Sequence, residues 1–185
     1  VCCCLWFFLV FWFSFCLFPS WLYSSIVSRF ESSTPRSAHS SIQPDLIIAS
    51  IVEKEAVKDS ERPIIAGVYK NRIAKKMKLE ADPTVQYAKD NQNTEYTSLS
   101  DRLNYQYWQK ITAADYLRTK SDYNTYIISG LPPAPICNPG IKSIEATLNY
   151  THHNYLYFLQ ANGQIYLGQT LEEHEQNKIK AWGSN

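Results

Sequence analysis

The chain has 185 residues, and its 18 lysines and arginines against 17 aspartates and glutamates leave a formal net charge of +1. A chain of this length forms one globular domain more readily than two. The balanced charge argues against a nucleic-acid-binding protein that works through a broad basic face. A content of 45% hydrophobic and 19% charged residues argues against a disordered chain.

The N-terminal segment differs in composition from the rest of the chain. Seven of the eight Phe and four of the five Cys lie within residues 1–30, and no charged residue precedes Arg29. An uncharged apolar run of about 18 residues reaches the lower limit for a membrane-spanning helix. We therefore predict that residues 1–23 are a membrane anchor. One alternative is a signal sequence, although no cleavage site is evident. The other is a non-native segment, which the absence of an upstream basic residue favours.

A linker and then a helix follow the hydrophobic segment. Residues 24–44 are rich in Ser and Pro, which is typical of a linker. Residues 45–55 have the spacing of an amphipathic helix that begins near Pro44 and Asp45. The folded domain is predicted to occupy residues 45–185.

Two neighbouring carboxylates of this helix are predicted to differ in environment. At 100° per residue, Glu55 falls within the apolar stripe of Ile48, Ile51 and Val52, whereas Glu53 falls on the opposite side. Glu53 is therefore predicted to be a solvated surface residue. Glu55 is predicted to face the core or a cleft, where burial raises a carboxyl pKa and suits the group to general acid catalysis. Alternatively, Glu55 simply ends the helix and bends out to water.

The middle of the chain carries two further helix-start signals. Ser60 is a suitable N-cap for a second helix that has Pro63 in its first turn. A third helix is predicted to begin at Asp82, because Pro83 disfavours helical geometry in the residue before it. The polar residues 89–107 are predicted to form an exposed loop.

The C-terminal part begins with a proline-rich segment. Residues 131–139 contain four prolines, which stiffen the backbone as at the rim of a binding groove. A helix is predicted over residues 142–149. Thr170 is placed to cap a last helix, with Glu173 completing a capping box.

A short hairpin separates these two helices. Residues 155–159 and 164–167 have strand composition, and Asn162-Gly163 between them is a strong signal for a two-residue turn. The predicted fold class is α+β, a single domain of several short helices with a small antiparallel β-hairpin.

Motif searches exclude several classes of chemistry. The chain has no HExxH, no G-x-S-x-G, no Walker A and no GxGxxG sequence. His152, His153, His174 and Glu145 could be assembled into a metal site, but their spacing fits no standard motif. We therefore predict no metal and no cofactor. Thirteen Tyr suggest a groove that stacks on sugar rings, although Tyr is also common in the core and rim of a small α+β domain.

Several segments, in unbroken order, together resemble the endolytic murein transglycosylases of the YceG-like family. They are ASIVEKE (49–55), SERPIIAGVYKNRI (60–73), LEADPTVQY (79–87), YNTYIISGLPPAPICNPG (123–140), SIEATLN (143–149), YLYF (155–158) and TLEEH (170–174). The resemblance implies a lytic transglycosylase domain over residues 45–185. Such an enzyme cleaves the MurNAc-β-1,4-GlcNAc bond within peptidoglycan strands and leaves 1,6-anhydro-MurNAc ends.

The resemblance also implies which residues form the site. Glu55 is the second Glu of the family's E-K-E motif and is expected to act first as general acid and then as base. Asp82 is either a supporting carboxylate or a helix cap. By motif position and side-chain chemistry, five residues are expected to hold the sugars and orient Glu55: Asn71, Gln86, Tyr123, Asn124 and Tyr126.

Partners and location follow from the same resemblance. The expected partners are peptidoglycan glycan strands, peptidoglycan synthases (penicillin-binding proteins) and, through the N-terminal segment, the membrane, with no nucleic acid. The expected location is the cytoplasmic membrane, crossed once, with the domain on the periplasmic or extracellular side. Relatives usually carry a LysM-like domain where this chain has a linker, and Glu80 stands where they more often have Gln. The alternative from another class is a catalytically inactive peptidoglycan-binding module.

Overall fold

The computed structural model describes residues 36–93 and 98–183. The chain divides into two compact units, Val1–Ser41 and Ile42–Asn185, and only the helical residues from Arg36 onward are described in the first. The hydrophobic segment 1–23, predicted to be an anchor, lies outside the described residues. Among the helices of the described ranges, none combines the length and the apolar character needed to cross a membrane.

Short helices and one antiparallel pair of strands make up the described residues, so the predicted α+β class is confirmed. In chain order the elements are α1 (Arg36–Glu55), a 3-10 turn (Asp59–Glu61), α2 (Arg62–Ala74), α3 (Asp82–Asn93), α4 (Leu99–Asn104), α5 (Asp115–Arg118), α6 (Ile141–Leu148), β1 (Tyr157–Ala161), β2 (Gln164–Gly168) and α7 (Leu171–Trp182).

The first two helices begin at different residues from those predicted. Helix α1 begins at Arg36, so part of the predicted linker is helical and Pro44 lies inside the helix. Proline removes one backbone donor, which weakens a helix at that point without having to end it. Ser60 lies in the 3-10 turn, and the N-cap of α2 is Glu61, with Pro63 in the first helical turn as predicted.

In the segment predicted as an exposed loop, residues 89–107, the described residues on either side of 94–97 include one buried carboxylate. Asp90 is only 5% exposed. It accepts hydrogen bonds from the Tyr105 hydroxyl at 2.7 Å and from the Trp108 backbone N–H at 2.8 Å. These bonds tie the segment back to α3, and α4 forms within it. Polar composition alone concealed this arrangement, because the residue that organises it is itself charged.

Helix α1 contributes the centre of the hydrophobic core, and its residues 47–52 are buried on all sides rather than along one stripe. Every residue from 47 to 52 is buried. The face opposite the core is covered by the proline-rich segment, where the Ile136 N–H donates to Ser50 Oγ at 3.0 Å and Cys137 Sγ donates to the Ser50 carbonyl at 3.3 Å. A helix that is buried all round is enclosed by the domain, so the stiff segment serves as a cover for α1.

Glu53 is consequently not the solvated residue that the helical wheel predicts. Its Oε2 accepts hydrogen bonds from Ser143 Oγ at 2.6 Å and from the Gly140 N–H at 3.1 Å, and it pairs with Arg62 Nη1 at 3.2 Å. Burial opposes the charge, but the bonds from Ser143 and Gly140 and the Arg62 charge outweigh it and lower the Glu53 pKa. Glu53 therefore joins the end of α1 to α2 and to the start of α6.

Replacing Glu53 by alanine is expected to lower the free energy of unfolding by about 2 kcal/mol, because Arg62 loses a partner and two further donors lose their acceptor. Chemical denaturation measures this directly. Glu145→Ala, an exposed carboxylate on α6, is the matched control and should stay within about 0.5 kcal/mol of the parent. Equal stability of the two variants would contradict the bracing role.

The hairpin has the predicted turn. Asn162 and Gly163 both have positive φ, 52° and 71°, as a two-residue turn of this kind requires. Ala161 pairs with Gln164 across it. Helix α7 follows with Thr170 as N-cap, whose side chain accepts from the Glu173 N–H. The Glu173 carboxylate accepts from the Gln169 N–H at 2.7 Å, one residue before the position in the predicted capping box.

Candidate active site

Glu55 opens into a cavity of about 600 Å³. Glu55 is the last residue of α1, so its side chain leaves the core where the helix stops. The lining comes from α1, α2, α3, α5, β1 and α7, with loop residues between them: Glu55, Tyr69, Arg72, Leu79, Glu80, Asp82, Tyr116, Tyr126, Tyr157, Phe158, Leu159, Gln160, Leu171, His174, Lys178 and Trp182.

Two hydrogen bonds hold Glu55 in this cavity. The Tyr69 hydroxyl donates to Glu55 Oε1 at 2.9 Å. Tyr69 is 2% exposed and packs edge-on against Phe158 with ring centroids 5.9 Å apart, so the donor is itself rigid. On the backbone side, Gln160 Nε2 donates to the Glu55 carbonyl at 3.2 Å and ties the end of α1 to β1. The carboxyl group is therefore held in one orientation.

The surroundings of Glu55 favour its protonated form. Burial raises the pKa to about 7, the Tyr69 hydrogen bond opposes the rise, and the nearby charge of Asp82 adds to it. Desolvation and a like charge both penalise a carboxylate, whereas a donated hydrogen bond stabilises it. A carboxyl group with a pKa near 7 can both give and take a proton at neutral pH.

Asp82 lines the same cavity and holds two tyrosine hydroxyls. The Tyr126 hydroxyl donates to Asp82 Oδ1 at 2.6 Å, and the Tyr116 hydroxyl donates to Oδ2 at 3.5 Å. The rings of these two tyrosines lie 4.4 Å apart. Burial and the hydrogen bond to Asp82 raise the Tyr126 pKa, so this phenol stays protonated. Of the two roles predicted for Asp82, the geometry favours the supporting carboxylate, since it contacts the wall of the cavity.

A buried guanidinium borders Glu80 in the same cavity. Arg72 is 7% exposed and donates to the carbonyls of Leu156 at 2.6 Å and Leu79 at 2.9 Å. Its Nη1 also pairs with Glu80 Oε2 at 3.1 Å. Glu80 has a φ of 50°, a left-handed conformation that non-glycine residues adopt rarely. The ion pair helps to hold this backbone immediately before Asp82.

The residues predicted to bind substrate do not all meet at this cavity. Glu55 and Tyr126 line it together, whereas four of the predicted residues are absent from its lining: Asn71, Gln86, Tyr123 and Asn124. The reason in each case is that the side chain is used within the protein, as the following contacts show.

Asn124 is fully buried and braces the tyrosine loop. Its Nδ2 donates to the carbonyls of Tyr116 at 3.0 Å and Thr119 at 2.8 Å, and its Oδ1 accepts from the Tyr126 N–H at 3.0 Å. Every polar atom of the amide is thereby occupied. Asn124 therefore positions Tyr126 and Tyr116, and a contact of its side chain with sugar stays a prediction.

Asn71 fixes the segment that leads into β1 rather than the cavity of Glu55. Its Nδ2 donates to the carbonyls of His153 at 2.7 Å and Tyr155 at 3.0 Å. It lines a separate depression of about 450 Å³ with Lys75 and Thr170. Its predicted role beside Glu55 is therefore not supported by the geometry.

Gln86 and Tyr123 likewise support neighbouring segments. Gln86 Nε2 donates to the carbonyls of Trp108 and Gln109 at 3.3 and 3.0 Å. The Tyr123 ring packs against Tyr87 with centroids 4.8 Å apart. Gln86 thus contacts the loop beyond α4 and Tyr123 packs on α3, and neither side chain lines the Glu55 cavity.

Several cavity residues were missed by sequence reasoning. Tyr69 lies on the inward face predicted for α2, which suggested core packing and not a hydrogen bond to Glu55. Nothing in the spacing of α7 marked His174, Lys178 and Trp182 as neighbours of Glu55, because that contact depends on how α7 packs on the sheet. Within the described residues, no group of three or more His, Cys, Asp or Glu side chains could hold a metal ion.

The sequence of this chain is similar to those of known proteins of one family. Residues 21–180 match the profile of the YceG-like family. Over 141 residues, 76% of this chain and 35% of the relative, the sequence is 40% identical to the endolytic murein transglycosylase of Bacillus subtilis (strain 168). Over 147 residues, 78% of this chain and 25% of the relative, it is 32% identical to the endolytic murein transglycosylase of Streptococcus pneumoniae serotype 2.

A solved structure agrees with these matches. A YceG-like protein from Listeria monocytogenes superposes with a TM-score of 0.58 at 42% identity, over 72% of this chain and 38% of that protein. The chain spans about a third of the length of the Bacillus relative and a quarter of the Streptococcus relative.

Proposed function

The chain belongs to the YceG-like family, and on that premise we propose that it is a lytic transglycosylase of peptidoglycan. It would cut the MurNAc-β-1,4-GlcNAc bond within glycan strands and form 1,6-anhydro-MurNAc ends. The observation that carries the proposal is the Glu55 carboxyl group, rigidly held in a cavity and with a pKa raised to about 7.

The proposed reaction needs one group that first gives a proton and then takes one. Glu55, protonated, donates to the glycosidic oxygen as the C1–O bond of MurNAc breaks. The resulting carboxylate then removes the proton from the C6 hydroxyl of the same sugar, whose oxygen forms the new bond to C1. Glu55 ends protonated as it began, and no water is consumed. Because the nucleophile belongs to the substrate, it gains the advantage of proximity.

The second carboxylate of the cavity has a different place in this scheme. Hydrolases of glycosides use a second carboxylate as nucleophile or to activate water. Asp82 carries charge beside Glu55, so it supports the protonated form of Glu55 and the cation-like transition state. Hydrogen bonds from two tyrosine hydroxyls hold Asp82 at the cavity wall. These donors are uncharged, so they do not neutralise the carboxylate.

Analysis of the product ends tests the proposal. Purified glycan strands are incubated with the protein, and mass spectrometry is expected to find anhydro-MurNAc ends in proportion to cleavage. Reducing MurNAc ends would instead show a hydrolase, with Asp82 as the second carboxylate. Binding of strands without any new ends would show a catalytically inactive peptidoglycan-binding module.

Location and partners are further proposals that rest on the family. We propose that the domain works on the outer face of the cytoplasmic membrane, anchored by residues 1–23, beside peptidoglycan synthases of the penicillin-binding class. Fractionation of cells that express the chain with and without residues 1–23 tests the anchor. Recovery of both forms in the soluble fraction would contradict it.

A further inference from the structure

Helix α7 presents two adjoining faces. On one face, Asn177 Nδ2 donates to the Leu167 carbonyl at 3.0 Å, and the Ala181 carbonyl accepts from Asn162 Nδ2 at 3.2 Å, so this face packs on the hairpin. At 100° per residue, the adjoining face carries a row of four side chains. We call them the α7 stripe: Leu171, His174, Lys178 and Trp182.

The α7 stripe lines the cavity of Glu55 along its whole length. Leu171 and Trp182 stand at its two ends and expose 52% and 62% of their surface. The distance along the helix between these ends is about 16 Å at the α-helical rise. A wall of this length is longer than one sugar ring, so the cavity extends beyond the unit that is cut.

The middle of the stripe is rigid and incompletely bonded. The His174 ring stacks on Tyr157 with centroids 5.4 Å apart, and Tyr157 in turn lies under the Arg72 guanidinium at 5.0 Å. His174 Nδ1 is buried and has no hydrogen-bond partner among the described residues. Burial and the Lys178 charge lower the His174 pKa, which favours the neutral ring. Because Nδ1 is buried, His174 can contact a ligand in the cavity only through the part of its ring that remains exposed.

We infer that the α7 stripe is a second saccharide subsite, which binds a unit of the same glycan strand away from the bond that is cut. This inference rests on the proposed function for the identity of the strand. Trp182 supplies a flat exposed ring on which a sugar face can stack. Lys178 supplies an ammonium group that can donate to sugar hydroxyl and acyl oxygens. The substrate is a polymer, and a stripe continuous with the Glu55 cavity lies where the polymer continues.

Strand binding by variants of a non-cutting parent tests the subsite. In the full chain carrying Glu55→Gln, calorimetry measures affinity for peptide-free glycan strands. Trp182→Ala is expected to weaken binding about fivefold, the loss that corresponds to roughly 1 kcal/mol of stacking. Lys178→Ala is expected to weaken it in the same direction.

Matched controls lie on the same helix. Ile179 is 55% exposed and Lys180 is exposed, and neither lines the cavity, so Ile179→Ala and Lys180→Ala should bind as the parent does. In the chain with Glu55 intact, Trp182→Ala should raise KM for long strands with little change in kcat. A loss of folding would act on kcat as well, so the two readings separate.

The outcomes separate this inference from the proposed reaction. Equal affinity of Trp182→Ala and Ile179→Ala, or no strand binding by the Glu55→Gln parent, overturns the subsite even if anhydro ends are formed. Weaker binding by Trp182→Ala without anhydro ends in the wild type supports the subsite and rejects the reaction.

Discussion

Glu55→Gln is expected to reduce the formation of anhydro-MurNAc ends by about 10³-fold, the effect of removing a general acid that also acts as base. The amide keeps the shape of the side chain and can still accept a hydrogen bond from the Tyr69 hydroxyl. It cannot, however, act as an acid or as a base at neutral pH. Mass spectrometry of product ends measures the loss. Strand binding should persist, since the other walls of the cavity are unchanged.

Stability measurements test whether this variant is folded. The Glu55 pKa rises from 4.5 to about 7 on folding. A raised folded-state pKa means that the stability which Glu55 contributes in its protonated form is complete below pH 4.5 and is lost as the pH rises through about 7. At pH 8 the wild type therefore carries the cost of a buried charge that the amide lacks, and Glu55→Gln is expected to be more stable by up to about 3 kcal/mol.

Two results would contradict the role of Glu55. Activity that survives Glu55→Gln would remove it from the reaction. Loss of activity together with lower stability at pH 8 would assign it a structural role. Glu53→Gln is the control in the same motif, because Glu53 braces α6 and does not line the cavity. The Glu53→Gln variant should still form anhydro-MurNAc ends, even if its free energy of unfolding is lower.

The sequence predicted element types well and the elements' surroundings less well. Caps, prolines and the Asn162-Gly163 turn act within a few residues, so the hairpin and the start of α7 were predicted close to their observed positions. Burial depends on what packs over an element. The helical wheel identified the face of Glu55 but could not show that the proline-rich segment covers the face of Glu53.

The same limit applies to the site. Motif position suggested that all five polar candidates contact substrate, yet an amide in a motif serves equally well to hold a loop. Asn124 shows this, since its bonds run to backbone groups of its own segment. Tyr126, two residues later, reaches the cavity because Asn124 holds the turn between them. The role of α7 depends on tertiary packing and left no local pattern to find.

Asp82→Asn is expected to lower activity at pH 7 by about fivefold and to move the alkaline limb of the pH–rate profile to lower pH. Glu55 must be protonated to donate, so activity falls as the pH rises through its pKa of about 7. The Asp82 charge helps to hold that pKa up, although burial contributes more. Its removal lowers the pKa, and at pH 7 a one-unit decrease leaves about a fifth as much of the acid form.

Tyr69→Phe is the counterpart with the opposite sign. The Tyr69 hydroxyl stabilises the Glu55 carboxylate, so its loss should move the alkaline limb to higher pH. Glu80→Gln is the control for Asp82, because Glu80 lines the same cavity but is paired with Arg72, and the limb should stay in place. The measurement is the pH dependence of kcat/KM for strand cleavage.

Opposite shifts in two single variants identify Glu55 as the group that titrates. A change in fold or in strand binding would alter the height of the profile, but it would not move its limb in opposite directions for the two substitutions. If both act on Glu55 alone, the double variant Tyr69→Phe with Asp82→Asn should place the limb between those of the single variants. If the alkaline limb of Asp82→Asn stays at the wild-type pH, the Asp82 charge does not affect the Glu55 pKa. The stabilisation of the cation-like transition state would then have to come from other groups in the cavity.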